Sequence, residues 1–181
     1  MSTAAANPPP DSHTPPYIIR EINSDDDVLQ ICIEKKEFVP LKEFLRDHAS
    51  NHHEINVSKT YVAVASKRVL AYITLCCSQV HFDSPPKELP SIPYRFYPSV
   101  RIGQLAVDEN FRKRDIGSKL VSLAIALVKQ KIQPHVGCRL LTVDSHQDAV
   151  TFYKERGFCL VDTKKNLAKD FPVMFLDIGK L

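Results

Sequence analysis

The sequence predicts an α/β fold in which a mixed sheet carries helices on both faces. Apolar, β-branched stretches alternate with stretches of helical period, in the order β-α-α-β-β-β-α-β-α-β-β, without an internal repeat. The chain has 181 residues, of which 44% are hydrophobic. That is enough for one domain with a substantial core and short for two.

The first predicted elements are a strand and two helices. The strand is YIIREI, residues 17–22. In SDDDVLQICIEKK, residues 24–36, Ser24 is expected to cap a helix whose first turn holds Asp25–Asp27, because the helix dipole favours anions there. The second helix covers residues 40–49, where a proline at the start is followed by apolar side chains on one face.

A hairpin and a third long strand are predicted next. Residues 60–66 and 68–82 are β-branched and apolar, and Lys67–Arg68 lies at the turn between them. The third strand covers residues 99–108. Because it contains Gly103, we expect a bulge or a close approach of the backbone there.

The rest of the chain is predicted to alternate helix and strand. Gly157 lies near the end of the helix predicted over residues 146–158, where a left-handed residue is favoured, so it is expected to close that helix. The last two strands are expected to pair antiparallel. The elements are a helix over 117–132, a strand over 138–144, a helix over 146–158, and strands over 158–163 and 173–178.

Prolines mark two segments without regular structure. Five prolines predict a disordered leader over residues 1–16, followed by a single domain over residues 17–181. Five more predict a long irregular connector between residues 85 and 98. The leader lacks the basic and apolar regions of a signal peptide, and no apolar run is long enough to span a membrane.

Charge and cysteine content favour a cytoplasmic protein and permit an anionic partner. The formal charge is +3 and the sequence pI is about 8.6. The five cysteines include no C-x-x-C pair and lie mostly in apolar runs, which favours reduced core thiols over disulfides or a metal. His48, His52 and His53 have a spacing that could hold a metal, but without a Cys or carboxylate partner a polar helix end is favoured. We expect no metal cofactor.

The stretch NFRKRDIGSKLV, residues 110–121, combines the features of an anion site. It leads from a strand into a helix beginning near Ile116, whose N-terminus offers unpaired N–H groups and a partial positive charge. Gly117 lets the backbone approach a bulky anion, as a pyrophosphate site requires. A solvated charged turn before an ordinary helix is the alternative. The cations around this N-terminus are Arg112, Lys113, Arg114 and Lys119.

Two motifs, RIGQLAVDENFRKRDIGSKLV and AVTFYKERGF, resemble the GNAT superfamily of acetyl-CoA-dependent N-acetyltransferases. The resemblance implies a central, mostly antiparallel sheet that splits between strands four and five. It also implies a turn of the form Q/R-x-x-G-x-G/A, whose amides bind the cofactor pyrophosphate. Arg112 fits the first position and Gly117 the last. The pyrophosphate-binding residues implied are Arg112, Lys113, Arg114, Asp115, Ile116, Gly117 and Ser118.

Asp115 departs from this pattern, because the family has a glycine there. Its side chain is expected to crowd the phosphates, and its charge to oppose them by about 1 kcal/mol if solvated. Aspartate tolerates left-handed backbone angles better than most residues, so the turn can still form. We therefore expect cofactor binding to survive in weakened form.

The same resemblance implies the rest of the site. The backbone of Leu105, Ala106 and Val107 would hold the pantetheine arm like an added strand, and an amide there would polarise the acetyl carbonyl. Tyr153 takes the position of the catalytic tyrosine, since a phenol with a pKa near 10 can give its proton to the departing thiolate. The alternative is that all four are core residues, with Tyr153 packed beside Phe152.

Longer stretches, over roughly residues 17–178, resemble the branch that includes toxins of bacterial toxin–antitoxin systems. Those toxins acetylate the amino acid on a charged tRNA. The resemblance implies a charged tRNA as acceptor, an antitoxin protein as partner, and a homodimer. The alternatives are another acceptor, such as a polyamine, an antibiotic or a protein amine, and a degenerate acyl-CoA-binding regulatory protein without catalysis.

No general base is evident, and its absence favours an α-amine as acceptor. At pH 7 a lysine amine is neutral in about one molecule in 2,500, whereas an α-amine is neutral in about one in ten. No platform of aromatic residues interleaved with basic ones is apparent. Scattered cations form either an RNA-facing surface or a solvated face. They are Arg46, Lys67, Arg68, Arg95, Lys164, Lys165 and Lys169.

Overall fold

The computed structural model describes residues 14–82, 85–87, 89–93 and 95–181 and contains a seven-stranded sheet. Its strands lie in the order β1-β2-β3-β4-β5-β7-β6. The pair β4–β5 is parallel and the other pairs are antiparallel. The leader predicted over residues 1–16 lies outside the described residues except for its last three. The strands are β1 (Ile18–Glu21), β2 (Lys59–Ala65), β3 (Arg68–His81), β4 (Phe96–Val107), β5 (Leu140–Asp144), β6 (Cys159–Leu160) and β7 (Val173–Asp177).

Helices cover both faces of the sheet, as predicted. Along β2, Ala63 packs in the cluster that contains α3, whereas Val62 and Val64 pack in the cluster that contains α1 and α2. This alternation follows from the two-residue period of a strand. No helix in the described part of the chain combines the length and apolarity of a membrane span. The helices are α1 (Val39–Asp47), α2 (Ala49–Glu54), α3 (Ile116–Leu127), α4 (Val150–Lys154) and α5 (Lys164–Leu167).

The predicted bulge in β4 is confirmed at Gly103. The register against β3 shifts between Thr74, which faces Gln104, and the next residue, which faces Ile102. A Cβ at Gly103 would lie 2.9 Å from Thr74 Oγ1, and this hydroxyl accepts a hydrogen bond of 2.8 Å from the Gln104 N–H. The bulge thus needs glycine because the threonine hydroxyl occupies the space of a side chain.

The sheet splits between β4 and β5, as the resemblance implies. Pairing between the two strands stops at Ile102 and Val143. Beyond that point β4 continues to Val107, still paired with β3, while β5 ends at Asp144. The last residues of β4 therefore have a neighbouring strand on one side only.

The helix predicted over residues 24–36 is wrong. The segment is a turn followed by irregular backbone. Asp26 does not sit in a helical first turn, because its carboxylate turns inward to bind Arg20, with Oδ1 2.5 Å from Nη2. Ile31 and Ile33 are both buried, and a spacing of two fits extended chain rather than helix.

Other boundaries differ less. The predicted hairpin turn lies one residue earlier, at Ser66 and Lys67, which both have positive φ. The helix predicted over 117–132 changes to wider π-type turns after Leu127. Gly157 has φ +84°, which confirms it as the left-handed residue after α4.

Helix α5 has no counterpart in the predicted order. It shortens the strand predicted over residues 158–163 to Cys159–Leu160. Its buried Asn166 supplements the backbone bond from the Val161 N–H to the Val173 carbonyl, since the side-chain amide donates to the carbonyls of Val161 and Val173 and accepts from the Val173 N–H. The five cysteines are free, but none is buried, so the prediction of core thiols is wrong.

Candidate active site

The split leaves backbone groups of β4 without a strand partner. Asp108 N–H donates to the Leu70 carbonyl of β3. Because backbone groups alternate in direction along a strand, Ala106 also faces β3, where it pairs with Tyr72. Leu105 and Val107 then point their N–H and C=O groups toward the open side. Of the three predicted arm-binding residues, these two offer backbone groups to a ligand.

Asp108 anchors the turn that follows β4. Its carboxylate is fully buried and accepts hydrogen bonds from the N–H groups of Cys32, at 3.1 Å, and Asn110, at 2.9 Å. The Arg68 guanidinium, over the Phe111 ring, adds a charged bond of 2.9 Å to the same carboxylate. The turn therefore leaves the sheet in a fixed direction.

The turn forms with two non-glycine residues in the left-handed region. Lys113 has φ +60° and Asp115 has φ +62°. Aspartate was expected to tolerate this conformation, and here it occupies the position directly before α3 without a side-chain bond to the helix. The turn thus has the backbone conformation that a glycine in the motif would adopt. Because Asp115 has a side chain, this left-handed conformation is strained.

Helix α3 begins with N–H groups that have no partner inside the helix. The Lys119 N–H is the first to bond back, to the Asp115 carbonyl at 3.0 Å, so those of Ile116, Gly117 and Ser118 remain. Ile116 is buried, and a Cβ at Gly117 would already contact Val107 and Phe152 at 3.4–3.5 Å. Only the backbone of these residues is available to an anion.

The predicted cations surround this helix start. Arg112 lies 3.4 Å from Glu109 Oε1, and Lys113 is exposed. Arg114 donates to Thr14 Oγ1 at 3.2 Å. Lys119 donates to the Tyr17 hydroxyl at 3.1 Å, a contact that raises the lysine's pKa and keeps it charged.

Arg156 joins this group, although the sequence interpretation missed it. Its guanidinium binds Ser118 Oγ, with a distance of 3.2 Å from Nε, and stacks 3.6 Å from the centre of the Phe152 ring. The side chain thus places a fixed positive charge beside the first turn of α3. A sequence signal existed, because the helix predicted over residues 146–158 makes residues four apart, such as Phe152 and Arg156, neighbours.

Tyr153 lies in α4 and is 4% exposed. Its ring packs edge-on against Phe152 and Phe158, at 5.1 and 5.3 Å between centroids. Among the described residues its hydroxyl has no hydrogen-bond partner, whereas those of the buried Tyr72 and Tyr97 donate to main-chain carbonyls. Burial raises the pKa of Tyr153, and Arg156 partly offsets the rise. The site therefore holds a protonated phenol with a free hydroxyl.

A cavity of about 320 Å³ opens on the sheet face away from α3. On its floor Arg101 of β4 pairs with Asp144 at the end of β5, at 2.6 Å. Lys165 and Lys169 line its other side. Two of the cations predicted to face RNA thus meet at one cavity beside the split.

The remaining candidate groups have structural partners. Arg68 pairs with the buried Asp108, and Arg46 pairs with Asp47 on the surface. The rings of His48 and His52 pack against Phe44 at tilted and edge-on angles, and His53 accepts a hydrogen bond from a backbone N–H at 3.1 Å. No set of three metal-ligating side chains occurs among the described residues.

Known proteins resemble the chain in sequence and fold. A family model of the acetyltransferase (GNAT) domain matches residues 56–159. AtaT complexed with acetyl-methionyl-tRNAfMet is 26% identical, with 91% of this chain and 96% of that one covered and a TM-score of 0.75. A mutant AtaT toxin bound to the C-terminus of the antitoxin AtaR and acetyl-CoA is 24% identical, with coverages of 91% and 94% and a TM-score of 0.71. A bacterial toxin that is 18% identical has a TM-score of 0.80, with 92% of this chain and 93% of that one covered. The last two show agreement of fold.

Proposed function

The chain belongs to the acetyltransferase (GNAT) domain family, and we propose that it transfers the acetyl group of acetyl-CoA to the α-amine of an aminoacyl-tRNA. The observation that carries the chemistry is the buried Tyr153, whose hydroxyl has no partner among the described residues. The tRNA acceptor is supported by the similarity to AtaT, which was solved with acetyl-methionyl-tRNAfMet.

Acetyl-CoA supplies the acetyl group as an activated thioester. The N–H groups of Ile116, Gly117 and Ser118 would donate to its diphosphate at the positive end of α3. Arg156 adds a fixed charge there, because its guanidinium is held on Ser118. The open backbone groups of Leu105 and Val107 would orient the pantetheine arm in the split, as a further strand would bond to β4.

Tyr153 acts as the general acid in this proposal. The acceptor nitrogen forms a bond to the acetyl carbon, the carbon–sulfur bond breaks, and the thiolate takes the proton of the Tyr153 hydroxyl. The amine loses its extra proton to solvent, and solvent reprotonates the phenolate. Because burial raises the pKa of Tyr153, the phenol is fully protonated at neutral pH and carries the proton that the thiolate takes.

The acceptor preference follows from the protonation state of the amine. We identify no general base among the described residues of the site, so the acceptor must supply a useful neutral fraction by itself. An α-amine meets this requirement in about one molecule in ten at pH 7, and a lysine amine in about one in 2,500. The proposal therefore favours an aminoacyl ester over a protein lysine.

A labelling experiment tests the acceptor directly. The protein is incubated with labelled acetyl-CoA and total aminoacylated tRNA, and the tRNA is recovered and its esters are hydrolysed. We expect labelled acetyl-amino acid, and no label with uncharged tRNA. CoA release with polyamines or protein amines in place of aminoacyl-tRNA would assign a different acceptor, and no CoA release with any amine would contradict catalysis itself.

Replacing Asp115 with glycine is expected to tighten acetyl-CoA binding about fivefold, since removing repulsion of about 1 kcal/mol has that effect. Relief of the left-handed strain at φ +62° would additionally stabilise the turn. Isothermal titration of acetyl-CoA into both proteins measures the change. Unchanged affinity would show that neither crowding nor charge at this position weakens binding.

Two further variants separate charge from backbone strain. Asp115→Asn removes the charge and keeps a side chain that tolerates left-handed angles, so it should retain most of the gain. Lys113→Gly relieves the same kind of strain at φ +60° but removes a cation, so it should not tighten binding. Equal tightening by Asp115→Gly and Lys113→Gly would assign the effect to the backbone.

The proposal extends to partners and location. A protein antitoxin is the partner we propose, supported by the fold shared with AtaT bound to AtaR. A homodimer and a cytoplasmic location, where charged tRNA is found, complete the proposal. We also propose that residues 17–181 form one domain.

Light scattering of the purified protein, alone and with a co-expressed neighbouring gene product, measures the homodimer and the complex with the antitoxin.

A further inference from the structure

Three aromatic rings from separate segments meet beside the site, in what we call the ring cluster. Phe38 precedes α1, His146 follows β5, and Phe171 precedes β7. The ring centroids of Phe38 and His146 are 5.1 Å apart, and those of His146 and Phe171 are 5.7 Å apart. Phe171 is 54% exposed, so this ring of the cluster is open to a ligand.

The ring cluster is held in place by hydrogen bonds of its neighbours. His146 Nδ1 accepts from the Asp148 N–H at 3.2 Å, which fixes the imidazole. The Pro172 carbonyl accepts from the Ser145 N–H at 3.0 Å, and this bond joins the segment of Phe171 to that of His146. The rings are therefore presented on a fixed backbone rather than on independent loops.

Cations flank the ring cluster on two sides. Lys35 Nζ lies 5.0 Å from the centre of the Phe38 ring, and the Arg112 guanidinium lies 5.9 Å from it. On the other side the Lys169 carbonyl accepts a hydrogen bond of 2.8 Å from Gln147, the neighbour of His146, and the side chains of Lys165 and Lys169 line the cavity of about 320 Å³. Sites for single-stranded nucleic acid combine aromatic rings that stack on the bases with cations that bind the phosphates. The sequence interpretation found no such platform, because its members are more than 100 residues apart along the chain at the extremes.

Residues of the ring cluster are also close in sequence to the proposed catalytic and diphosphate-binding residues. His146 begins the turn that leads directly into α4, which carries Tyr153. Arg112 belongs to the turn proposed to bind the diphosphate. A nucleotide stacked on these rings would thus lie at the edge of the split, where an amino acid esterified to it could reach the acetyl group.

We propose that the ring cluster stacks the terminal nucleobase of the acceptor RNA, with Phe171 as the exposed ring and Lys165 and Lys169 facing the adjoining phosphates. This inference rests on the proposed function and names how the same site recognises its substrate. We assign the rings to the RNA rather than to the adenine of acetyl-CoA because Phe171 and the two lysines come from the β6–β7 side. The start of α3 instead follows β4, and its turn reaches the ring cluster through Arg112, whose guanidinium lies 5.9 Å from the Phe38 ring.

Variants at Phe171 test this assignment. Phe171→Leu removes the ring and keeps an apolar side chain, so the KM for aminoacyl-tRNA should rise about tenfold or more. Phe171→Trp keeps a stacking surface and should remain near the wild-type value. Leu167→Ala is the matched control, because Leu167 is similarly exposed at 47% in the same segment but has no ring, and it should leave KM unchanged.

An amino acid methyl ester, which has the reacting amine but no nucleobase, completes the test. Phe171→Leu should leave kcat/KM for this ester and the KM for acetyl-CoA unchanged. An unaltered KM for aminoacyl-tRNA, or a rise for acetyl-CoA alone, would overturn the inference while the transferase stands. If the wild-type protein acetylates the ester but not aminoacyl-tRNA, the proposed acceptor fails, and the inference fails with it.

Discussion

Replacing Tyr153 with phenylalanine is expected to lower kcat by about 10² to 10⁴, the usual contribution of a general acid. The thiolate would then leave without a proton from the protein. The free energy of unfolding should change little, because the hydroxyl has no hydrogen-bond partner among the described residues. Steady-state CoA release with aminoacyl-tRNA, together with urea unfolding, measures both quantities.

Tyr72→Phe provides the matched control. Tyr72 is also buried, but its hydroxyl donates to the Leu41 carbonyl at 2.6 Å. Losing that bond should cost about 1 kcal/mol of stability and leave kcat unchanged. The two variants should therefore behave in opposite ways. Tyr153→Phe should lose activity but keep its stability, and Tyr72→Phe should lose stability but keep its activity. Full turnover in Tyr153→Phe would remove this residue from the mechanism.

Replacing Asp108 with alanine is expected to lower the free energy of unfolding by about 3 kcal/mol or more. The substitution leaves the N–H groups of Cys32 and Asn110 without their acceptor and Arg68 without its counter-charge. Acetyl-CoA affinity should fall as well, because the turn that leads to α3 loses its anchor. Urea denaturation followed by circular dichroism measures the stability, and titration of acetyl-CoA measures the affinity.

The exposed pair of Asp47 and Arg46 is the control for charge removal. Its oxygen and nitrogen are 2.8 Å apart, but both side chains are almost half exposed, so Asp47→Ala should change stability by less than about 1 kcal/mol. Asp108→Asn should fall between wild type and alanine, since an amide oxygen can still accept. A loss below about 1 kcal/mol in Asp108→Ala would contradict the anchoring role.

Periodicity predicted those parts of the molecule that local sequence determines. The two-residue alternation of β2 and the apolar stripe of α3 each place side chains on a face by chain geometry alone. Gly103 and Gly157 were identifiable because a bulge and a left-handed helix end have few other solutions. The resemblance added the split of the sheet, which no local pattern contains.

Long-range contacts explain what local sequence could not predict. The acidic run at Asp25–Asp27 has the composition of a helix start, but Arg20 draws Asp26 inward and the segment stays irregular. Arg68 looked like a surface cation until the fold brought it to Asp108, 40 residues away. The rings of the ring cluster likewise become neighbours only when three loops converge.

The central claim is that the start of α3 holds the diphosphate of acetyl-CoA while the Tyr153 hydroxyl faces the thioester sulfur. A crystal structure of the complex with acetyl-CoA tests it most directly. The account predicts diphosphate oxygens about 3 Å from the nitrogens of Ile116, Gly117 and Ser118, and the phenol oxygen within hydrogen-bond distance of the sulfur. A diphosphate bound elsewhere, or a hydroxyl turned away from the sulfur, would contradict it.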